Sequence, residues 1–168
     1  CVSVSDTSAR TIFEAAERAV AMAREAPEDP TAGLAPPDQL ARTWDLAALE
    51  LADPSAEPTA SALEADARAA EAAAMAVQGV RQVEASASYS NRRLFLAQTN
   101  GFSGAYGRTA RSTSAVAFVG EGTGMERDWA AETRTFQADL PAATEIGTLA
   151  AERALQRLGA RKPTTGTY

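Results

Sequence analysis

The chain has 168 residues, 45% of them hydrophobic and 23% charged, so a single hydrophobic core is within reach and neither a disordered nor a fibrous chain is indicated. Its 22 acidic and 16 basic residues leave a net charge of −6, which disfavours bulk binding to a phosphate backbone. There is no histidine and only one cysteine, Cys1, which excludes a histidine general base, an internal disulfide and any multi-cysteine metal site.

Cys1 opens the chain and reads as a boundary inside a strand rather than as a lipid-carrying terminus, because Val2 and Val4 alternate with Ser3 and Ser5. Asp6-Thr7-Ser8 offers a helix N-cap. The spacing of Ile12, Ala16, Ala19, Val20 and Ala23 predicts a helix over about 9–26, with Glu14 and Arg18 paired one turn apart on its other face. Pro27 and Pro30 end it. Residues 27–58 hold most of the prolines, yet also Leu34, Leu40, Trp44, Leu46, Leu49 and Leu51. So much apolar bulk predicts an ordered excursion that packs back on the domain, with a short helical turn at about 37–42.

A second helix is predicted over about 59–77, where Leu63, Ala67, Ala70, Ala74 and Val77 share a side and Gly79 closes the end. From Val83 the period changes to two. "VEASASYS" and "RRLFLAQT" read as two runs turned at Asn91. Asn100-Gly101 is a hairpin signal, and a long third run to about Val119 carries Gly104 and Gly107, marks of bulges or close backbone approach. "GEGTG" turns the chain again into a fourth run, Met125 to Phe136. Pro141 opens a last helix over about 142–158, closed by Gly159. The expected class is α+β: an antiparallel meander over about 83–136, with three main helices packed on one face, in a single domain of residues 1–168. No stretch approaches the roughly 20 apolar residues of a membrane span, and no signal-peptide pattern is visible.

The candidate chemistry is sparse. The glycines of "GEGTG" precede a strand, whereas a phosphate loop must open a helix, so a turn is the better reading. Glu126 and Asp128 share one side of a strand, with Arg127 on the other. Such paired carboxylates do acid/base work only if one is desolvated, and a solvated polar face is the plainer reading. Arg92, Arg93, Arg108 and Arg111 gather near Tyr89, Phe95 and Tyr106, which suggests a basic-aromatic patch for single-stranded nucleic acid. The acidic total opposes that, and cross-strand pairing with Glu84, Glu126 or Asp128 is the better expectation.

"ASYSNRRLFLAQTNGFSGAYGRTARSTSAVAF", "GMERDWAAETR" and "LAAERALQRLGARKPTTGTY", with "EDPTAGL" before them, resemble the TldD/PmbA family, also called modulators of DNA gyrase. The resemblance covers essentially the whole chain, and the "MERD" run resembles the PmbA (TldE) branch. It implies a piece of the N-terminal domain of a longer bacterial or archaeal cytoplasmic protein, without the catalytic-type C-terminal domain. It implies a heterodimer of TldD and TldE acting as a zinc-dependent peptidase on unfolded peptides. The zinc ligands belong to a HExxxH-type motif of the TldD subunit, which this sequence lacks. The resemblance therefore carries over no catalytic residue, no metal ligand and no cofactor; zinc is expected on a TldD-like partner. Expected partners are that subunit or a second copy, and extended peptides, to which an open sheet edge would add a strand. Nucleic acid and membrane are not expected. The residues expected at peptide or partner contacts are Arg92, Arg93, Arg108, Arg111, Glu126, Arg127 and Asp128. Two other readings stand beside this one: a freestanding protein- or peptide-binding module, and an enzyme using Glu126 and Asp128.

Overall fold

The computed structural model describes residues 1–167. Two compact units divide the chain, Cys1–Leu40 and the stretch from Ala41 onward.

The first unit is built on one helix, α1 (Ala9–Glu25). Ser8 caps it by accepting the Thr11 N–H at 3.3 Å. The Asp6 carboxylate in turn accepts the Ser8 N–H at 2.9 Å and the Thr11 hydroxyl at 2.7 Å. The helix buries none of its residues, and Ile12 and Phe13 stay exposed. Its ion pair joins Arg10 to Glu14 at 2.7 Å, in place of the expected pair of Glu14 with Arg18. Val2 and Val4 belong to no strand among the described residues, since alternation makes a strand only where a ladder partner exists. The predicted turn at about 37–42 is a single 3-10 turn, Pro37–Gln39.

The second unit is an α+β layer. Helix α2 (Ala60–Met75) starts at Thr59, whose hydroxyl accepts the Ala62 N–H at 3.1 Å. Gly79, at φ 100°, lets the chain reverse into the sheet. Three antiparallel strands follow in the order β1-β2-β3: β1 (Val80–Ala97), β2 (Ser103–Val119) and β3 (Glu126–Arg134). Helix α3 (Ala143–Gln156) ends the fold. No helix among the described residues is long and apolar enough to cross a membrane.

The sheet has three strands, not the four runs read from the sequence. Asn91 does not turn the chain. It pairs with Thr109 in unbroken register, and its side-chain amide donates sideways to Glu57 at 3.0 Å. The two alternating runs are therefore one strand of 18 residues. The turn at Asn100-Gly101 does form: Gly101 stands at φ 92°, and the Gln98 N–H reaches the Phe102 carbonyl at 2.9 Å. "GEGTG" also turns as expected, through the 3-10 turn Gly122–Gly124.

The core lies between the sheet and α2 and α3. Ala115, Ala117 and Val119 of β2, with Ala130 of β3, face Ala70 and Ala74 of α2 and Ile146, Ala150, Ala151 and Ala154 of α3. Alanine lets backbones approach closely, and Gly147 takes this furthest. A Cβ there would stand 2.0 Å from the Ala70 carbonyl oxygen. The helical layer of this unit is thus α2 and α3; α1, the third helix expected on the sheet, belongs to the other unit.

Pairing to β3 covers only Arg111–Val119 of β2. Beyond it, β1 and β2 run on as a two-stranded ribbon to the turn at Gly101. Such a ribbon is marginal alone. The excursion supports it: the Thr109 N–H donates to the Leu51 carbonyl at 3.2 Å, on the edge that β3 has left.

Candidate functional site

Strand register assigns each predicted contact residue to a face. Positions directly opposite share a side, and alternate positions switch sides. Glu126 and Asp128 pair with Val119 and Ala117, both buried, so their side chains lie on the helix-covered face. There the Arg157 guanidinium, at the end of α3, reaches Asp128 at 3.1 Å and Glu126 at 3.7 Å. The other Asp128 oxygen accepts the Trp129 N–H at 2.8 Å. The Trp129 N–H first, and Arg157 second, hold the Asp128 carboxyl below the usual carboxylate range. A general acid needs the reverse, a carboxyl kept neutral by desolvation. The pair is a clamp between β3 and α3, strengthened by Arg153, which donates to the Trp129 carbonyl at 3.1 Å. Arg127 lies on the opposite face, across from Phe118, beside an open groove of about 620 Å³ that Glu84, Met125 and Trp129 also line.

Arg111 is drawn inward. Its side chain is only 18% exposed; it donates to Asp66 of α2 at 2.5 Å and to Gln137 at 2.8 Å. It ties helix to sheet and is taken by the fold itself. None of Arg92, Arg93, Arg108 and Arg111 forms the expected pair with Glu84, Glu126 or Asp128. The carboxylates of β3 oppose the far end of β2, and Arg92 and Arg108 lie on the other face of the sheet.

Arg92, Arg93 and Arg108 sit on the ribbon. Arg92 opposes Arg108 on the open face, next to the pair Leu94–Tyr106 and then Leu96–Gly104. Gly104 is where Trp44 lands: a Cβ there would meet the indole at 2.9 Å and the Phe102 ring at 3.0 Å. The two rings lie 6.1 Å apart, tilted by 32°. Trp44, Leu46, Leu49 and Leu51 of the excursion, with Leu94, Leu96, Phe102 and Tyr106 of the ribbon, line an apolar groove of about 550 Å³. Phe95 projects beside it, 79% exposed. Exposed apolar side chains gathered in this way mark an interaction site more than a core.

Asp53 holds the excursion in place. Its N–H donates to the Thr109 hydroxyl at 2.7 Å, and that hydroxyl donates to the Thr135 carbonyl at 3.1 Å. Its carboxylate accepts the Gln137 N–H at 2.7 Å and the Ser55 N–H at 2.8 Å. These donors, Gln137 foremost, hold the carboxyl below its usual range. Neither Asp53 nor the groove is among the residues predicted from the sequence. The signal available was the apolar bulk of residues 40–51, which does pack back but leaves Trp44, Leu46 and Leu49 exposed. Among the described residues, no group of three or more His, Cys, Asp or Glu side chains converges as a metal site would require.

Comparison with known proteins adds four findings. Residues 52–158 match the PmbA/TldA metallopeptidase central domain. Over 165 residues the chain is 31% identical to metalloprotease PmbA of Escherichia coli O157:H7, covering 97% of this chain and 36% of that protein. The fold is similar to that of a candidate modulator of DNA gyrase from Bacteroides thetaiotaomicron, with TM-score 0.80 and 24% identity over 99% of this chain and 38% of that one. A second candidate modulator, from Thermotoga maritima, gives TM-score 0.57 and 16% identity over 76% of this chain and 31% of that one. The chain spans about a third of the length of the relatives it matches.

Proposed function

Because the chain belongs to the PmbA/TldD metallopeptidase family, we propose that it is a non-catalytic, partner- and peptide-contacting part of a PmbA-like (TldE-like) subunit in a zinc-dependent peptidase assembly. One observation carries the reading. The paired carboxylates the sequence offers for acid/base chemistry, Glu126 and Asp128, are both ion-paired to Arg157, in a chain without a histidine. Zinc is not fitted by these residues, because no ligand-type cluster forms among those described. In this reading a TldD-like partner in the cytoplasm holds the metal, and this chain supplies walls and contacts. The match over 52–158 gives that stretch the character of a central domain. Modulation of DNA gyrase, the description its structural relatives carry, would follow from peptide processing rather than from DNA contact, given the net charge of −6.

The 18-residue β1 is an edge strand, and no strand among the described residues pairs with its outer side. Such an edge needs a cover or a partner, which favours a role in contacts over a self-contained monomer. The apolar groove favours a second reading, a freestanding peptide-binding module. Co-purification with a TldD-like subunit from the same organism separates the two. The assembly reading expects a stoichiometric complex that carries zinc, and a metal-free protein when purified alone. Separate elution, or stoichiometric zinc on this protein alone, overturns it.

A further inference from the structure

From Ala85 to Gly120 the β1–β2 hairpin contains Arg92, Arg93, Arg108 and Arg111 and not one acidic residue, in a chain whose net charge is −6. The two terminal nitrogens of Arg111 are taken up internally by Asp66 and Gln137. Among the described residues, the guanidinium groups of the other three form no hydrogen bond or ion pair. Two of them, Arg92 and Arg108, are placed directly opposite each other on the same face. Like charges at opposed positions destabilise a sheet, so the fold gains nothing from this juxtaposition. Their neighbours on that face are Ser90 and Ala110 on one side and Leu94 and Tyr106 on the other, none of which relieves the repulsion. Two guanidinium forks side by side present several N–H donors to one planar carboxylate.

The apolar groove begins one pair further along the same face, at Leu94 and Tyr106. Consecutive same-face pairs on a strand stand roughly 6.6 Å apart, twice the rise of about 3.3 Å per residue, which is also the spacing of alternate side chains in an extended ligand. We propose that the distal hairpin binds an extended peptide with an acidic residue and a bulky apolar residue two positions apart. The carboxylate sits between Arg92 and Arg108, and the apolar side chain lies against Leu94 and Tyr106 in the groove bounded by Trp44. Charge complementarity selects the acid, and the groove rejects a peptide that is only acidic. A nucleic acid would satisfy the arginines but leave the apolar walls unmatched. The inference rests on the peptidase reading only for the peptide's being a substrate of the assembly; binding itself stands apart from it.

Fluorescence anisotropy with labelled, unstructured peptides tests it, using cores Glu-x-Leu, Gln-x-Leu and Glu-x-Ser and a single-stranded oligonucleotide. The Glu-x-Leu peptide is expected to bind about tenfold more tightly than either other peptide, the scale of one charged hydrogen-bonded contact. R92Q/R108Q should erase the preference for Glu over Gln, R92K/R108K should keep part of it, and L94S should erase the preference for Leu over Ser. R92Q/R108Q is expected to melt no lower than the parent, so lost binding cannot be misfolding. Equal binding of the Glu and Gln peptides, or an unchanged preference in R92Q/R108Q, overturns the proposal. So does arginine-dependent binding of the oligonucleotide alone. So does a concentration-dependent dimer that L94S abolishes while no peptide binds, for the face would then join copies of this chain. Loss of the peptide preference with a TldD-like complex intact would sink this proposal and leave the assembly reading standing; the converse would sink the assembly reading alone.

Discussion

Asp53 accepts two backbone N–H groups, from Gln137 and Ser55, one at each carboxylate oxygen, and accepting at both favours the ionised form. Its carboxyl is held below the usual range, so it adds stability above the pH where the unfolded residue titrates and loses it as pH falls through the lower folded value. The window therefore lies below about pH 4, the ordinary aspartate range. Asp53→Asn should lower the melting temperature at neutral pH and flatten its decline on acidification, measured by thermal melts across that range. A steep decline equal to the parent's would remove this role. Arg111 is the second structural residue. Cutting it back to alanine leaves Asp66 without its partner in a largely covered site, and should cost about 2–4 kcal/mol in urea unfolding. A loss comparable to that of a surface ion pair, below about 1 kcal/mol, would contradict the anchoring role. In the sequence Arg108 and Arg111 looked alike. Three positions apart on one strand, they must face opposite sides, and only the helices on one side decide which is buried.

The α2–α3 contact depends on Gly147, where a Cβ would stand 2.0 Å from a backbone carbonyl that cannot swing aside. Gly147→Ala should destabilise by about 3 kcal/mol or more, despite the roughly 1 kcal/mol that alanine gains in helix propensity. Gly159→Ala, at φ 73° in open space, should cost only about 1–2 kcal/mol. Chemical denaturation of both variants checks the ordering, and equal losses would refute it. The helices were legible in the sequence because apolar period agreed with local end signals: the caps Ser8 and Thr59, the prolines Pro27 and Pro141, and the glycines Gly79 and Gly159. The turns at Gly101 and Gly122–Gly124 were legible for the same local reason. The break at Asn91 was misread. Asn followed by two arginines has turn character, while its actual use, a bond to Glu57, is a long-range fact. The groove was illegible for the like reason, because it joins Trp44 and its neighbours to the far end of a hairpin.

Among the described residues, the second unit carries a β1 edge with no ladder partner and, toward one end, an apolar groove beside arginines that form no ion pair. At the other end, the only carboxylate pair on β3 flanking an arginine is held by Arg157. Family membership was legible in the order of the strand, turn and helix motifs. Arg92 and Arg108 stand out in the sequence, whereas the apolar groove beside them does not. The most direct measurement is hydrolysis of an unfolded peptide by the protein alone, by a TldD-like partner and by the two mixed. The account predicts no turnover by the protein alone, and turnover with the partner that E126Q/D128N leaves within about twofold, well under the tenfold of a 1.4 kcal/mol change in barrier. Turnover by the protein alone, abolished by E126Q/D128N, would contradict it.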